Sequence, residues 1–483
     1  MPELTIEEIA GIVNGDIVGR QPGDKCDRFR RYDFDTRAIT CEQSLFFALK
    51  SDNRDGHEFL PRLMGKKGLA AVVSREFDYQ AQGIGFPLIR VTDPLKAAQE
   101  LAVYVRNKYR HIKYVGITGS AGKTTTKEFV YQLASYKYKA YRSYLNWNNW
   151  IGMPFSLLNI DGDEEVAVFE LAMSDPGIGE IDLLARILRP DVAVLLNAFP
   201  AHLEFLKNVN NVARGKAEIL NYLAADDIAF INGDLEHVRR KTRAPKGQKI
   251  YFGRNAKTNQ IILKDILRNN INYMGDRDDK GNTKAATTIV ADFYGIEARF
   301  DTPFINRVNV ENLFTAIIVA RQLGMKHVEI GAALKELKPL SGRGEIREHG
   351  RFTIIDETYN SNPEALKKTL DWVDKEYNGT KIAVLGDMLE LGKKEDPFHR
   401  EVGEHFATLK FARLITVGRR AGHIAAGAVA KGFDPSRISS FDNAAAAGRY
   451  LKEAAAPGSV ILFKGSRGMQ LEQAIKELCN HEN

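Results

Sequence analysis

The run Gly116-Ile117-Thr118-Gly119-Ser120-Ala121-Gly122-Lys123-Thr124-Thr125-Thr126 constrains this chain more than any other feature. It follows the apolar stretch at Val115 and leads into a helical pattern, the strand–turn–helix setting a phosphate cradle requires. Glycines let successive backbone N–H groups turn inward to phosphate oxygens, and the helix N-terminus adds a favourable dipole. In such a cradle Lys123 neutralises the β- and γ-phosphates of a nucleoside triphosphate and the Thr124 hydroxyl ligates Mg2+. Strict Walker spacing asks for glycine at position 117, where this chain has isoleucine. The loop is a variant, Thr-Gly-Ser-x-Gly-Lys-Thr.

The surrounding pattern predicts an α/β fold. Strand candidates Val115–Thr118, Val166–Leu171, Val192–Asn197 and Ile228–Asn232 alternate with helical stretches, which argues for a parallel sheet with right-handed crossovers. Residues 248–304 are β-branched and polar, with turn signals at Asn255, Gly275-Asp276 and Asp279-Lys280-Gly281, and read as an antiparallel excursion. A helix over Val310–Leu323 closes this unit. Upstream lie a short helical pattern, strand-like runs at Phe46–Leu49 and Ala70–Val73, a helix over Pro94–Lys108 and a basic link, Arg110–Lys113. Downstream of Pro339-Leu340-Ser341-Gly342, short buried-strand runs at Phe352–Asp356, Ile382–Gly386, Leu414–Gly418 and Val460–Lys464 predict a second doubly wound unit. The expected division is 1–110, 111–339 and 340–483.

Composition narrows the partners. The chain has 483 residues, 44% hydrophobic and 27% charged, a balance typical of soluble globular proteins of several domains. Its net charge of +6 is mild, and no basic run interleaved with aromatics marks a nucleic-acid binder. No apolar run is long enough to cross a bilayer and no secretory h-region opens the chain, so the cytoplasm is the expected address. Cys26, Cys41 and Cys479 match no zinc or redox spacing and read as reduced thiols.

The Thr-Gly-x-x-Gly-Lys-Thr-Thr loop resembles that of the Mur ligases, the cytoplasmic amino-acid ligases of peptidoglycan synthesis, and of folylpolyglutamate synthases. The resemblance implies a mixed α/β N-terminal substrate domain, a central P-loop ATPase domain and a C-terminal Rossmann-like domain. It also implies an enzyme that spends ATP to activate a carboxylate as an acyl phosphate. Residues Ile117, Thr118, Gly119, Ser120, Ala121, Gly122, Lys123 and Thr124 are then the nucleotide loop. Glu170 and His202, at the ends of two predicted strands, match the family's Mg2+ ligands beside Thr124. Lys216 matches the lysine that is carbamylated into a further metal ligand, with two ions expected. Asn309 matches the adenine-reading asparagine, although Val308 stands where the family often has histidine. Arg343 matches the arginine that reaches the γ-phosphate on domain closure.

Further stretches favour the branch that adds D-alanyl-D-alanine: Asn146-Trp147-Asn148-Asn149-Trp150-Ile151-Gly152-Met153-Pro154, Asp356-Glu357-Thr358-Tyr359-Asn360-Ser361-Asn362-Pro363, Gly386–Gly392 and Lys464–Arg467. The resemblance makes Asp356 a nucleotide contact, and Asn146, Asn148, Asn149, Tyr359, Asn360 and Asn362 substrate contacts. Asp35-Thr36-Arg37 and Asp55-Gly56-His57 look like the segments that hold a UDP-sugar. Expected partners are a UDP-sugar-linked peptide and D-Ala-D-Ala, with no nucleic acid, no membrane insertion and a monomeric chain. The stretch Glu170–Ile181 departs by extra length and by Ala172 for a glycine, and Ser51 replaces a glycine. Three rivals remain: a related ligase with another amine, a P-loop kinase acting on a hydroxyl, and a nucleotide-binding scaffold that has lost catalysis. Lys123, Glu170, His202 and Lys216 standing together argue against the last.

Overall fold

The computed structural model describes residues 3–19, 28–39, 43–52, 54–66, 68–173, 178–199, 206, 208–242, 246–268, 287–303, 307–338, 340–389, 391–392 and 395–480. Three main sheets follow one another along the chain. In the first, strands β1 (Asp16–Val18), β2 (Arg31–Asp33), β3 (Ser44–Phe47), β4 (Leu69–Ser74) and β5 (Leu88–Val91) lie in the order β1-β5-β4-β3-β2. Only β1 runs antiparallel to its neighbour. Two helices belong here, α1 (Ile6–Ile12) and α2 (Pro94–Lys108). Local chemistry writes α2 clearly. Asp93 accepts from the N–H groups of Leu95 at 2.9 Å and Lys96 at 3.2 Å, and Pro94 fills the first turn. Ala97, Ala98, Leu101, Ala102 and Val105 then form one buried stripe.

The central sheet carries nine strands. Its elements are β6 (Lys113–Thr118), α3 (Lys123–Ser135), β7 (Ala140–Arg142), α4 (Gly152–Leu158), β8 (Val166–Glu170), α5 (Glu180–Leu188), β9 (Val192–Leu195) and α6 (Val209–Ala217). They continue as β10 (Ile228–Asn232), α7 (Glu236–Lys241), β11 (Gln248–Gly253), β12 (Ile261–Arg268), β13 (Thr287–Phe293), β14 (Ile296–Thr302), α8 (Arg307–Gln322) and α9 (His327–Lys335). The strand order is β7-β8-β6-β9-β10-β11-β12-β13-β14. Burial on both faces explains the apolar strands: every residue of β8 is buried. Helix α2 also packs on α4 and α5, where Arg106 donates to the carbonyls of Leu188 at 2.7 Å and Arg189 at 2.8 Å. Its guanidinium lies 4.0 Å from the Tyr114 ring centre. First and central sheets thus share one continuous apolar cluster through α2.

The third sheet contains β15 (Glu345–His349), β16 (Phe352–Glu357), β17 (Lys381–Gly386), β18 (Arg413–Val417), β19 (Ile438–Phe441) and β20 (Val460–Lys464). Their order is β15-β16-β20-β17-β18-β19, parallel except at the β15 edge. Helices α10 (Pro363–Glu376), α11 (Glu395–Phe406), α12 (Gly422–Ala430), α13 (Ala444–Ala454) and α14 (Glu472–Cys479) cover it. Among the described residues no helix is long and apolar enough to cross a membrane.

Two expectations need correction. The stretch 248–304 is not antiparallel throughout: β11 pairs in parallel with β10 and β12, and only β12, β13 and β14 form an antiparallel meander. The turn signals at 275–281 lie outside the described residues. The closing helix begins at Arg307 rather than Val310, and a further helix, α9, follows it. Cys26 and Cys41 also lie outside the described residues.

Candidate active site

The C-terminal ends of β6, β8 and β9 converge, the position where open parallel sheets bind ligands. Beyond β6 the chain makes its glycine turn. Gly122 has φ +79°, and a Cβ there would meet Asn312 Oδ1 at 2.4 Å, so only glycine fits. Ile117 and Thr118 lie beneath the loop. Ile117 is fully buried, and the Thr118 hydroxyl donates to the Leu171 carbonyl at 2.8 Å. The loop is braced from β9's end by Asn197, whose Oδ1 accepts from Ser120 N–H and Ala121 N–H, both at 2.9 Å. The Asn197 amide returns a bond to the Ala121 carbonyl at 3.0 Å.

Glu170, the last residue of β8, is the hub of the site. In register it sits beside Ile117 on β6. Its Oε2 accepts from the Thr124 hydroxyl at 2.6 Å and its Oε1 from the Asn148 amide at 2.8 Å. It is 2% exposed. A carboxylate taken so far out of water costs several kcal/mol unless paired. Here two hydrogen bonds and the positive fields of Lys127 and Arg343 offset that cost. Sequence reading therefore names three residues, Thr124, Asn148 and Glu170, that the structure brings into one cluster.

Lys216, on α6, is 2% exposed. Burial pushes its amine well below the ordinary lysine value, and the nearby Lys123 pushes it further, while Glu170 and Glu180 pull the other way. His202 lies outside the described residues. Hard oxygen donors on Thr124 and Glu170, in contact and ringed by cations, form the donor set Mg2+ takes, so these residues fit such an ion. A second acidic group, Asp161, Asp163 and Glu164, clusters near the opposite, N-terminal end of β8. Its charges are spent: Asp163 pairs with Lys139, and Glu164 accepts from Asp161 N–H at 3.0 Å and Gly162 N–H at 2.7 Å.

Arg343 approaches from the segment joining α9 to β15. Its guanidinium lies 3.7 Å from the Tyr359 ring centre, and Nη1 donates to Thr125 Oγ1 at 3.4 Å. Asn309, at the start of α8, donates its amide to the Arg343 carbonyl at 2.7 Å, so in this arrangement it holds the junction. Thr124, Glu128, Tyr131, Arg142, Arg343 and Tyr359 help line a cleft of about 640 Å³ between α3 and this junction. In the third unit Asp356 is buried and accepts from Thr358 N–H at 3.1 Å and its hydroxyl at 2.7 Å. Asn362 caps α10 through Ala365 N–H at 2.9 Å, and Asn360 accepts from Ser361 N–H at 2.8 Å. Lys464 bridges Glu357 at 2.9 Å and the Asn360 carbonyl at 3.1 Å.

The N-terminal candidates form two small clusters. Asp35 pairs with the exposed Arg37 at 2.6 Å, with Thr36 half-buried between them. His57 is buried and used at both ring nitrogens, Nδ1 against Asp55 at 2.6 Å and Nε2 accepting from Ser74 N–H at 2.9 Å. Phe34, immediately before Asp35, packs on Trp147 with ring centres 5.4 Å apart. That contact brings the 35–37 turn to the Asn146–Asn149 segment. Asn149 itself accepts from Gly152 N–H at 2.8 Å at the start of α4, and Asn146 is exposed.

Three residues escape the sequence reading. Asn197 and Asn312 brace the glycine turn, and Lys127 is fully buried on α3 with its ammonium on the carbonyls of Ser143 and Leu145. A signal exists for Lys127, which shares helical spacing with the buried Val130 and Ala134. Asn197 ends a predicted parallel strand, where a polar side chain meets the site.

Comparison with known proteins places this geometry. Residues 117–320 match the model of the Mur ligase middle domain, and residues 342–467 that of the Mur ligase glutamate ligase domain. The chain is 32% identical over 482 residues to the UDP-N-acetylmuramoyl-tripeptide–D-alanyl-D-alanine ligase of Bacillus subtilis strain 168, covering 99% of each chain. It is 28% identical over 444 residues to the Rickettsia prowazekii enzyme of the same name, covering 89% of this chain and 91% of that one. Among solved structures, MurF from Acinetobacter baumannii superposes with a TM-score of 0.84 at 24% identity over 99% of each chain. MurF ligase from Thermotoga maritima in complex with ADP superposes with a TM-score of 0.76 at 27% identity, covering 93% of this chain and 96% of that one.

Proposed function

The chain belongs to the Mur ligase family, and from that premise we propose that it joins D-alanyl-D-alanine to a UDP-N-acetylmuramoyl-tripeptide at the expense of ATP. One observation carries the reading: Thr124 of the phosphate helix and Asn148 of the acceptor-side segment bond the two oxygens of the same buried carboxylate, Glu170. Nucleotide, metal and acceptor functions thereby meet at one point. The names of the Bacillus and Rickettsia relatives support the substrates, and the ADP complex of the Thermotoga neighbour supports the nucleotide.

The chemistry runs in two steps. The terminal carboxylate of the acceptor peptide attacks the γ-phosphate, with Lys123 and Arg343 spreading the charge that develops. ADP leaves as the acyl phosphate forms, and the dipeptide amine then attacks the acyl carbon, expelling phosphate and losing a proton to give the amide. Thr124, Glu170, His202 and Lys216 would hold Mg2+, as two ions, whose charge would screen the two anions from each other. The lowered amine pKa of Lys216 supports its carbamylation, since only a free amine adds carbon dioxide. The 117–124 loop, Asn309 and Asp356 serve the nucleotide. Asp35, Thr36, Arg37, Asp55 and His57 serve the UDP-sugar. Asn146, Asn148, Asn149, Tyr359, Asn360 and Asn362 serve the peptide side. Closure of 340–483 on 111–339, with 1–110 holding the sugar, keeps water from the acyl phosphate. A monomer in the cytoplasm, supplying peptidoglycan precursors for growth and division, completes the reading.

The deciding assay measures ADP and phosphate release with the UDP-tripeptide while the amine is varied. D-Ala-D-Ala should support release and glutamate should not. Lys123→Ala should reduce release by about 10³-fold or more while leaving the unfolding midpoint little changed. Normal ligation by that variant, or ATP use indifferent to a dipeptide, overturns the proposal.

A further inference from the structure

One buried cation on α3 has no part in the chemistry above. Lys127 lies one turn beyond Thr124, on the same face of the helix, and is 0% exposed. Two of the three ammonium donors bond backbone carbonyls, Ser143 at 2.9 Å and Leu145 at 3.2 Å, and Glu128 Oε1 lies 3.3 Å away as an ion-pair partner. Burial pushes its pKa down to about 8, so it still carries its charge at neutral pH.

What it holds is not core. The stretch from Ser143 leads directly into Asn146–Asn149. Leu145 has φ +39°, the left-handed region that leucine disfavours, and its side chain is 65% exposed. Side-chain packing therefore contributes little to that conformation, while Lys127 grips the carbonyl there. Ser143 is fastened to β8 in turn, its N–H on the Val168 carbonyl at 2.9 Å and its Oγ accepting from Glu170 N–H at 3.4 Å. Three residues beyond Leu145, Asn148 reaches Glu170, and its carbonyl accepts from Ala172 N–H at 2.8 Å. Helix α3 thus holds Glu170 by two arms, directly through Thr124 and indirectly through Lys127, the 143–148 segment and Asn148.

We propose that Lys127 is a positioning residue for the ligase reaction, fixing the 143–149 segment against the phosphate helix so that Asn148 and Thr124 hold Glu170 from opposite sides. This rests on the ligase reading of the preceding subsection. Lys127→Met keeps the length and apolar bulk of the side chain and removes every donor. Its kcat/KM for the UDP-tripeptide should fall roughly tenfold or more, while the KM for ATP stays within about twofold. Asn148→Ala should show a similar loss, and the double variant should be little worse than the poorer single one, because both cut the same arm. Lys127→Gln, which keeps two donors without the charge, should fall between wild type and Lys127→Met and covers the case of a poorly folding Met variant.

Equal losses in acceptor and ATP parameters, losses that multiply in the double variant, or wild-type kinetics in Lys127→Met overturn the assignment. A wild-type enzyme that makes no ATP- and dipeptide-dependent product would fell the ligase reading instead. The arm is then read by amide hydrogen exchange, which Lys127→Met should speed at residues 144–149; unchanged exchange there overturns it.

Discussion

Lys127 and Lys216 are both lysines on helices flanking the central sheet, 0% and 2% exposed, and both feel the charge of Glu170. Their surroundings differ in kind. Around Lys127 the fold supplies two carbonyls and a carboxylate, and the amine stays charged. Around Lys216, burial and the repulsion of Lys123 push the amine well below the ordinary lysine value against the pull of Glu170 and Glu180. A buried cation bonded to backbone carbonyls and paired with a carboxylate is part of the scaffold. A buried amine driven towards neutrality by its surroundings costs stability, and that cost is explained by a reaction or a ligand. The contrast separates two roles that the sequence writes with the same letter.

The largest effect expected from that contrast is catalytic. Lys216→Met should lower amide formation by about 10²- to 10³-fold, the scale of losing a group that stabilises developing charge, with the far-ultraviolet spectrum unchanged. ADP formation under saturating substrates checks it, and activity within a few-fold of wild type would erase the functional half of the contrast. Next comes Lys127→Met, which leaves the buried Ser143 carbonyl and the partly buried Leu145 carbonyl without their donor. Urea unfolding should show a loss of about 2–3 kcal/mol. A loss below about 0.5 kcal/mol would mean water replaces the ammonium and the residue is no scaffold.

Much of this arrangement is legible in the sequence. The glycine turn, with its strand and helix, could be placed because each glycine answers a backbone demand, and Glu170 because an all-apolar parallel strand ended on a carboxylate. Helix α2 showed both ends through Asp93-Pro94 and its alanine–leucine stripe. Strand β15, Glu-Ile-Arg-Glu-His, and strand β19, with two serines, were missed because edge strands need no apolar face and carry charges that blunt further pairing. The parallel pairing of β11 was hidden for another reason: direction depends on the crossover, and α7 is only six residues long. For Lys127 and Asn197 the spacing and the strand end signal burial at the site, but their partners are backbone groups remote in sequence, which no local pattern names. Asn362 and Asp55 also cap helices, a local use of the side chain that the sequence pattern alone does not distinguish from a ligand contact.

A smaller effect runs against intuition. If the Lys216 amine costs the apo fold energy, replacing it by the isosteric methionine should raise stability by about 1 kcal/mol or more, though activity is lost. Urea titration without nucleotide or bicarbonate measures it. The two Met variants should therefore move stability in opposite directions. Both falling would show that Lys216 has a stabilising partner after all.

His399 gives the smallest effect and extends the rule to a buried base satisfied when neutral. It sits on α11, fully buried, with Nε2 accepting from Met388 N–H at 2.9 Å and Nδ1 set 2.7 Å from the Glu395 carbonyl. That pairing requires the neutral ring with its proton on Nδ1, since a second proton would face the Met388 N–H. Burial pushes its pKa below the ordinary 6.5. On acidification the unfolded chain takes up the proton first, so it binds more protons than the fold and stability rises with pH across that window. The contribution is complete above about pH 6.5 and is lost as pH falls from there towards the folded value. His399→Gln keeps one donor and one acceptor but cannot titrate. Between about pH 7.5 and 5.5 the wild type should lose more stability than this variant, as read from paired urea midpoints. Parallel losses would mean that the fold accepts the proton at His399 without penalty, and that bonding in the neutral form does not by itself decide which buried bases resist charge.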